Sequence, residues 1–200
     1  MSENLIDAVV TKNDLKEAFE KLGVKSTDSC IVRTAMSKIQ YFPDGAETIF
    51  NALKETLSDG TLMMPSEIST NCDPATDGLG VTPEYFRNLP GVVRSSHPLL
   101  PIAIWGRNAK KIAEKQPLNI PYGINSPLDY LYQNNGKTIC TKYRSLDMDL
   151  YDESNKLGAA FEARYSNDFK SLKLVKGTIK VINLHPLINF TCQWFNQKDH

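Results

Sequence analysis

Cys30-Ile31-Val32, then the segment Asp44-Gly45-Ala46-Glu47-Thr48-Ile49-Phe50-Asn51-Ala52-Leu53-Lys54-Glu55-Thr56-Leu57, then Ser58-Asp59-Gly60 and the run Thr61-Leu62-Met63-Met64-Pro65 decide the fold. The two outer runs are short and continuously apolar, the pattern of strands buried on both faces. Between them Ile49, Leu53 and Leu57 recur at helical spacing along one side. Asp44 with Glu47 three residues on has the pattern of a capping box, which opens the helix at Asp44, and Gly60 ends the segment. Strand, helix and strand in this order make a βαβ unit, whose crossover sets the two strands parallel.

The flanking sequence extends the alternation. Leu15, Ala18, Phe19 and Leu22 give residues 12–22 one apolar helical face, and Gly23 closes it. Thr82-Pro83 starts a short helix through Arg87, with Thr82 as its cap. Val92-Val93 and residues 102–105 are short strand candidates. Residues 108–115 are helical, Ser126-Pro127 caps a further helix through Leu128, Leu131 and Tyr132, and 137–140 reads as a strand. Leu157, Ala160 and Phe161 mark another helix. Residues 174–184 read as a strand hairpin around Lys176-Gly177, and 186–195 as a last helix with Leu187, Phe190 and Trp194 inward. The pattern predicts α/β, a three-layer α/β/α sandwich with a mainly parallel or mixed central sheet. No internal repeat or Pro/Ser-rich linker divides the chain, so residues 1–200 form a single domain.

Composition bounds the function. The 200 residues are 41% hydrophobic and carry 23 Lys+Arg against 23 Asp+Glu, so no basic excess points to a nucleic-acid partner. No window approaches the roughly 20 apolar residues of a membrane span, and residues 1–15 resemble neither a signal nor a transit peptide. Cys30, Cys72, Cys140 and Cys192 are far apart, with no CxxC and no Cys/His cluster. Reduced thiols and a cytoplasmic protein without a metal are expected.

Chemistry without a known signature is sparse. There is no GxGxxG, Walker loop, GxSxG or HExxH. The turn 34–43 leads from a strand into a helix, where α/β folds place ligands. That helix N-terminus would favour a phosphate, although Asp44 as its cap would oppose one. Arg94-Ser95-Ser96-His97-Pro98 gathers a cation, two hydroxyls and a histidine. His97 is either a base near neutral pH or a loop histidine bonded to backbone, and spacing leaves both open. Glu67, Asp73, Asp77 and Glu84, and later Asp147, Asp149, Asp152 and Glu153, make acidic loops that suit a cationic ligand or are solvated faces.

Several motifs occur together and in order: Phe42-Pro43-Asp44-Gly45-Ala46-Glu47-Thr48, Gly60-Thr61-Leu62-Met63-Met64-Pro65-Ser66, Tyr122-Gly123-Ile124-Asn125-Ser126-Pro127-Leu128 and His185-Pro186-Leu187-Ile188-Asn189-Phe190, with Pro83-Glu84-Tyr85-Phe86-Arg87-Asn88-Leu89-Pro90-Gly91-Val92-Val93-Arg94-Ser95-Ser96-His97-Pro98 the most specific. With them the chain resembles the aminoglycoside 3-N-acetyltransferase family of antibiotic resistance. The resemblance implies transfer of acetyl from acetyl-coenzyme A to the 3-amino group of a 2-deoxystreptamine antibiotic, without a metal. It implies coenzyme contacts from Thr34, Ser37, Gly45, Ser95, Ser96, Tyr122 and Gly123. His97 and Glu84 stand as the candidate proton-transfer groups, and Asp147 and Asp149 as substrate contacts.

Departures from the family lie on the same surface. After Lys137-Thr138-Ile139 the family continues with a Leu-Leu-Gly-Val-Gly strand and a T-x-x-H-x-x-E segment that carries its catalytic histidine and glutamate. Cys140-Thr141-Lys142-Tyr143 resumes at a later family segment instead. An internal deletion near 139–143 is expected, with loss of a central strand and of the base. Arg33-Thr34-Ala35 replaces His-Ser-Ser, Asp44 a glycine, Pro101 a serine, and Gln116 a common histidine. These changes imply a member whose activity is impaired, or an inactive remnant or coenzyme A-binding module.

Overall fold

The computed structural model describes residues 9–33, 42–66, 79–140, 151–174 and 177–197, with the side chains of 151–154 excepted. Its elements are α1 (Lys12–Lys21), β1 (Ser29–Arg33), α2 (Ala46–Thr56), β2 (Thr61–Pro65), α3 (Val81–Arg87), β3 (Val93–Arg94), β4 (Ile102–Gly106), α4 (Ala109–Lys115), α5 (Pro127–Gln133), β5 (Lys137–Cys140), α6 (Tyr151–Arg164), β6 (Phe169–Lys173), β7 (Thr178–Asn183) and α7 (Leu184–Asn196). The described strands form one sheet in the order β3-β4-β2-β1-β5-β7-β6. β1 runs parallel to β2 and to β5, and the other pairings are antiparallel. The sheet is therefore mixed.

Strand alternation explains the three layers. Cys30 and Val32 of β1, Leu62 and Met64 of β2, and Ile139 of β5 share one cluster with Leu15 and Phe19 of α1, Ile49 and Leu53 of α2 and Phe86 of α3. The residues between them, Ile31 and Met63, face the other way with Ile104, onto Ile112 of α4, Leu131 of α5 and Leu184 of α7. Cys140 and Ile182 continue that second face under Phe161 of α6 and Phe190 of α7. A strand that serves two helical layers needs apolar side chains at successive positions, so β2 is buried throughout.

β5 bears out the strand expected at 137–140. Lys137–Cys140 lies in the middle of the sheet, with Val32 opposite Ile139 on one side and Val181 opposite Ile139 on the other. Both edges of its backbone are thus paired. Other boundaries shift for local reasons. The capping box at Asp44 does not form: Gly45, at φ 60°, is the N-cap of α2 and no side chain caps it, while the Asp44 carbonyl accepts from Glu47 N–H at 3.2 Å. Thr82 lies inside α3, whose N-cap is Gly80. The hairpin's first arm is β6, because Leu174 N–H donates to Gly177 C=O at 2.8 Å and closes the turn rather than extending the strand. α7 begins at Leu184, which puts Pro186 in the first turn, where a missing N–H costs no helical bond. The cap at Ser126 forms, its hydroxyl accepting from Asp129 N–H at 3.1 Å.

Candidate functional site

The carboxyl ends of the parallel strands β1 and β2 lie at one edge of the sheet, and β4 enters at that same edge, since Pro65 stands opposite Ile102. An α/β sheet presents its ligand crevice at such an edge. The segment that leads into β4, residues 95–101, is the Ser-Ser-His-Pro loop of the sequence.

Its hydrogen bonds tie it to the neighbouring strands and helix. Ser95 N–H donates to Ile102 C=O at 2.9 Å, and Ser95 Oγ accepts from Ile102 N–H at 2.8 Å. His97 Nδ1 accepts from Leu99 N–H at 3.2 Å and from Leu100 N–H at 3.0 Å. Leu100 C=O accepts from Gln116 Nε2 at 3.2 Å, and Pro101 C=O from Ser66 N–H at 2.9 Å. Arg94 Nε donates to the Ser66 carbonyl at 3.1 Å. Ser66, the first residue after β2, therefore anchors the loop to the sheet.

His97 is 5% exposed. With two N–H groups aimed at Nδ1, the neutral ring carries its proton on Nε2 and offers no free nitrogen lone pair. This geometry favours the backbone-bonded loop histidine over the base. Glu84 is committed as well: its carboxylate meets Arg87 at 2.6 Å and accepts from Asn88 Nδ2 at 3.2 Å. Burial, and then the charge of Arg87, push the Arg94 guanidinium below its ordinary value.

The coenzyme candidates are distributed around this loop. Ser95 is buried and holds the backbone, whereas Ser96 is exposed. Among the described residues nothing lies within 4 Å of the place a Cβ on Gly45 would occupy, and no side chain caps the start of α2. Tyr122 is 38% exposed. Gly123 packs so closely on Ile120 that a Cβ would lie 2.3 Å from its Cγ2. Gln116 Nε2 also donates to Pro121 C=O at 3.0 Å, which brings the Tyr122-Gly123 turn against the loop at 95–101. Thr34, Ser37, Asp147 and Asp149 lie outside the described residues.

Sequence reasoning missed the double bond made by Gln116. A glutamine at the end of a helix before a proline carries no spacing signal for two carbonyls that arrive from separate loops. The Glu84–Arg87 pair was readable as an i, i+3 pair on a helix.

This edge, with its loops bound to strand ends, belongs to an α/β protein with a mixed sheet, the architecture in which ligands meet the carboxyl ends of parallel strands. The sequence model described as aminoglycoside 3-N-acetyltransferase matches residues 31–141, more than half of the chain. The chain belongs to the aminoglycoside 3-N-acetyltransferase family. The SPbeta prophage-derived aminoglycoside N(3')-acetyltransferase-like protein YokD of Bacillus subtilis is 24% identical, over 94% of this chain and 93% of the relative. Aminoglycoside N(3)-acetyltransferase VIII of Streptomyces fradiae is 31% identical over 65% of this chain and 55% of the relative, so the match spans about half of that enzyme. Among solved structures, AAC-IIIb in a binary complex with CoASH has a TM-score of 0.83 at 19% identity, covering 95% of this chain and 97% of that one. AAC-VIa bound to sisomicin has a TM-score of 0.78 at 17% identity, covering 94% and 98%. These structural likenesses establish the α/β fold. Among the described residues no helix is long and apolar enough to cross a membrane.

Proposed function

We propose that this chain binds acetyl-coenzyme A at the carboxyl edge of its sheet and transfers acetyl to the 3-amino group of a 2-deoxystreptamine antibiotic poorly or not at all. Thr34, Ser37, Gly45, Ser95, Ser96, Tyr122 and Gly123 are the coenzyme contacts, and Asp147 and Asp149 the groups that meet a cationic drug. The absence of a side-chain cap at α2 and, among the described residues, the free space beside Gly45 support a phosphate-bearing ligand there. So does the binary complex of AAC-IIIb with CoASH, as the sisomicin complex of AAC-VIa supports the drug class. Free, widely spaced cysteines and coenzyme A chemistry fit a cytoplasmic protein.

The observation that carries the impaired step is His97 Nδ1 accepting from two backbone N–H groups. Neither it nor the ion-paired Glu84 is placed to take the proton of a substrate ammonium. General-base help contributes on the order of 10² to 10⁴ in rate, so its loss leaves at most a slow enzyme. An internal deletion near 139–143 in a single domain is the cause we infer. The family match stops at residue 141, and the alignment with YokD runs over 259 positions against 200 residues here, so at least 59 of them face no residue of this chain.

Thiol release from acetyl-coenzyme A with kanamycin or gentamicin should stay near background, and rapid release that His97→Ala abolishes would overturn the proposal. The second reading, a coenzyme-binding module without transfer, is favoured by the hydrogen-bonded rigidity of the loop at 95–101. Coenzyme A at 100 times its Kd should then stabilise the protein by about 2.7 kcal/mol, read as a rise in Tm. No rise in Tm would leave only a folded remnant.

A further inference from the structure

Gln116 is the C-cap residue of α4 and only 4% exposed. Its Nε2 donates to Leu100 C=O at 3.2 Å and to Pro121 C=O at 3.0 Å. Carbonyl oxygens only accept, so the amide nitrogen must face both of them. The amide oxygen is then left buried and, among the described residues, meets no donor. A side chain kept only for packing would not need to leave an acceptor unpaired, because an apolar residue of equal size would fill the same space without that cost. What glutamine alone supplies here is one group with two N–H bonds directed at two separate loops.

Those loops are the two that carry coenzyme candidates. The first contains Ser95, Ser96 and His97, and the second Tyr122 and Gly123. Both present side chains to solvent, with Leu99 75% and Tyr122 38% exposed. Inside the first loop His97 Nδ1 already fixes Leu99 and Leu100, so it moves as one hydrogen-bonded unit. The bond from Gln116 to Leu100 C=O therefore sets the position of that whole unit relative to the Tyr122-Gly123 turn.

We infer that Gln116 is a positioning residue that clamps the 95–101 loop to the 121–123 turn and so preforms the surface on which coenzyme A lies. This rests on the coenzyme reading above. Without the clamp both carbonyls can turn to water, the loops separate, and the ligand must bring them together again. Losing two hydrogen bonds of ordinary net strength corresponds to about a tenfold loss of affinity. The core does not depend on this side chain, because neither Leu100 nor Pro121 belongs to a strand or helix.

The test is calorimetric titration of coenzyme A into the full chain and into Gln116→Met and Gln116→His, with the Tm of each protein measured without ligand. Methionine keeps the volume and removes both donors, and a neutral imidazole supplies a single N–H. The expected order of affinity is parent, then Gln116→His, then Gln116→Met, about tenfold weaker than the parent, while the ligand-free Tm stays within about 3 °C. Equal affinity in all three would overturn the clamp and leave the coenzyme reading intact. Affinity that falls only in proportion to Tm would make Gln116 merely structural and would also overturn it. A parent that binds no coenzyme A would remove the coenzyme reading and the clamp with it.

Discussion

Replacing His97 separates a structural histidine from a proton acceptor. The ring is 5% exposed, and its Nδ1 accepts at 3.2 and 3.0 Å from Leu99 and Leu100. Alanine removes the acceptor and leaves two backbone donors in a half-closed loop. An unsatisfied buried N–H costs about 1–3 kcal/mol. Water admitted to the loop recovers part of this, so a net loss of about 2–4 kcal/mol is expected for His97→Ala, or on the order of 10 °C in Tm for a chain of this size. His97→Asn puts an amide oxygen near the place of Nδ1 and should recover at least half of that loss, although asparagine cannot act as a base. Urea denaturation followed by circular dichroism gives both values with the same m-value check. Alanine and asparagine variants that both lie within about 0.5 kcal/mol of the parent would refute the structural role, since that is the scatter of neutral surface substitutions.

Other parts of the molecule give sharper local outcomes. A Cβ at Gly60 would stand 2.2 Å from Asp28 C=O, the acceptor of the Thr61 N–H that begins β2, so Gly60→Ala should cost about 2–4 kcal/mol in denaturant melts from overpacking and a weakened hydrogen bond. Burial pushes the Cys30 thiol up to about 12 and the Cys140 thiol up to about 11, so neither should react with an aromatic disulfide reagent at pH 8, whereas exposed Cys192 should. The hydroxyl of Thr11, and then its backbone N–H, hold the Asp14 carboxyl below the usual carboxylate range. Its folded value is depressed, so the capping box of α1 contributes above the unfolded value of about 3.9 and is lost as pH falls through the folded one. Asp14→Asn should flatten the acid limb of a stability against pH profile by that increment.

The layers were legible because they rest on patterns that local physics enforces. Residues 30–32 and 61–65 are apolar at successive positions, and they are strands with a helix layer on each face. Gly23, at φ 82°, ends α1 as its place in the sequence implies. What misled was chemistry shared by several conformations. Asp44 and Glu47 have the spacing of a capping box, yet Gly45 takes the N-cap with a backbone angle that Asp44 would resist. Leu174 looks like strand and serves a turn. The missing family block did not say how the strands around it pair, and four residues of β5 join β1 to β7. In the site the motif letters located the 95–101 loop without stating what its histidine does. Whether an imidazole nitrogen is free depends on which backbone N–H groups the turn aims at it, here those of Leu99 and Leu100, which lie beyond the Ser-Ser-His-Pro string.

The most direct measurement is the rate of thiol release from acetyl-coenzyme A with saturating kanamycin, followed from pH 6 to pH 9 in the parent and in His97→Asn. A site without a positioned proton acceptor predicts rates near the uncatalysed background in both proteins, with no ascending limb that distinguishes them. Turnover in the parent well above background, rising through a titration that disappears in His97→Asn, would contradict it.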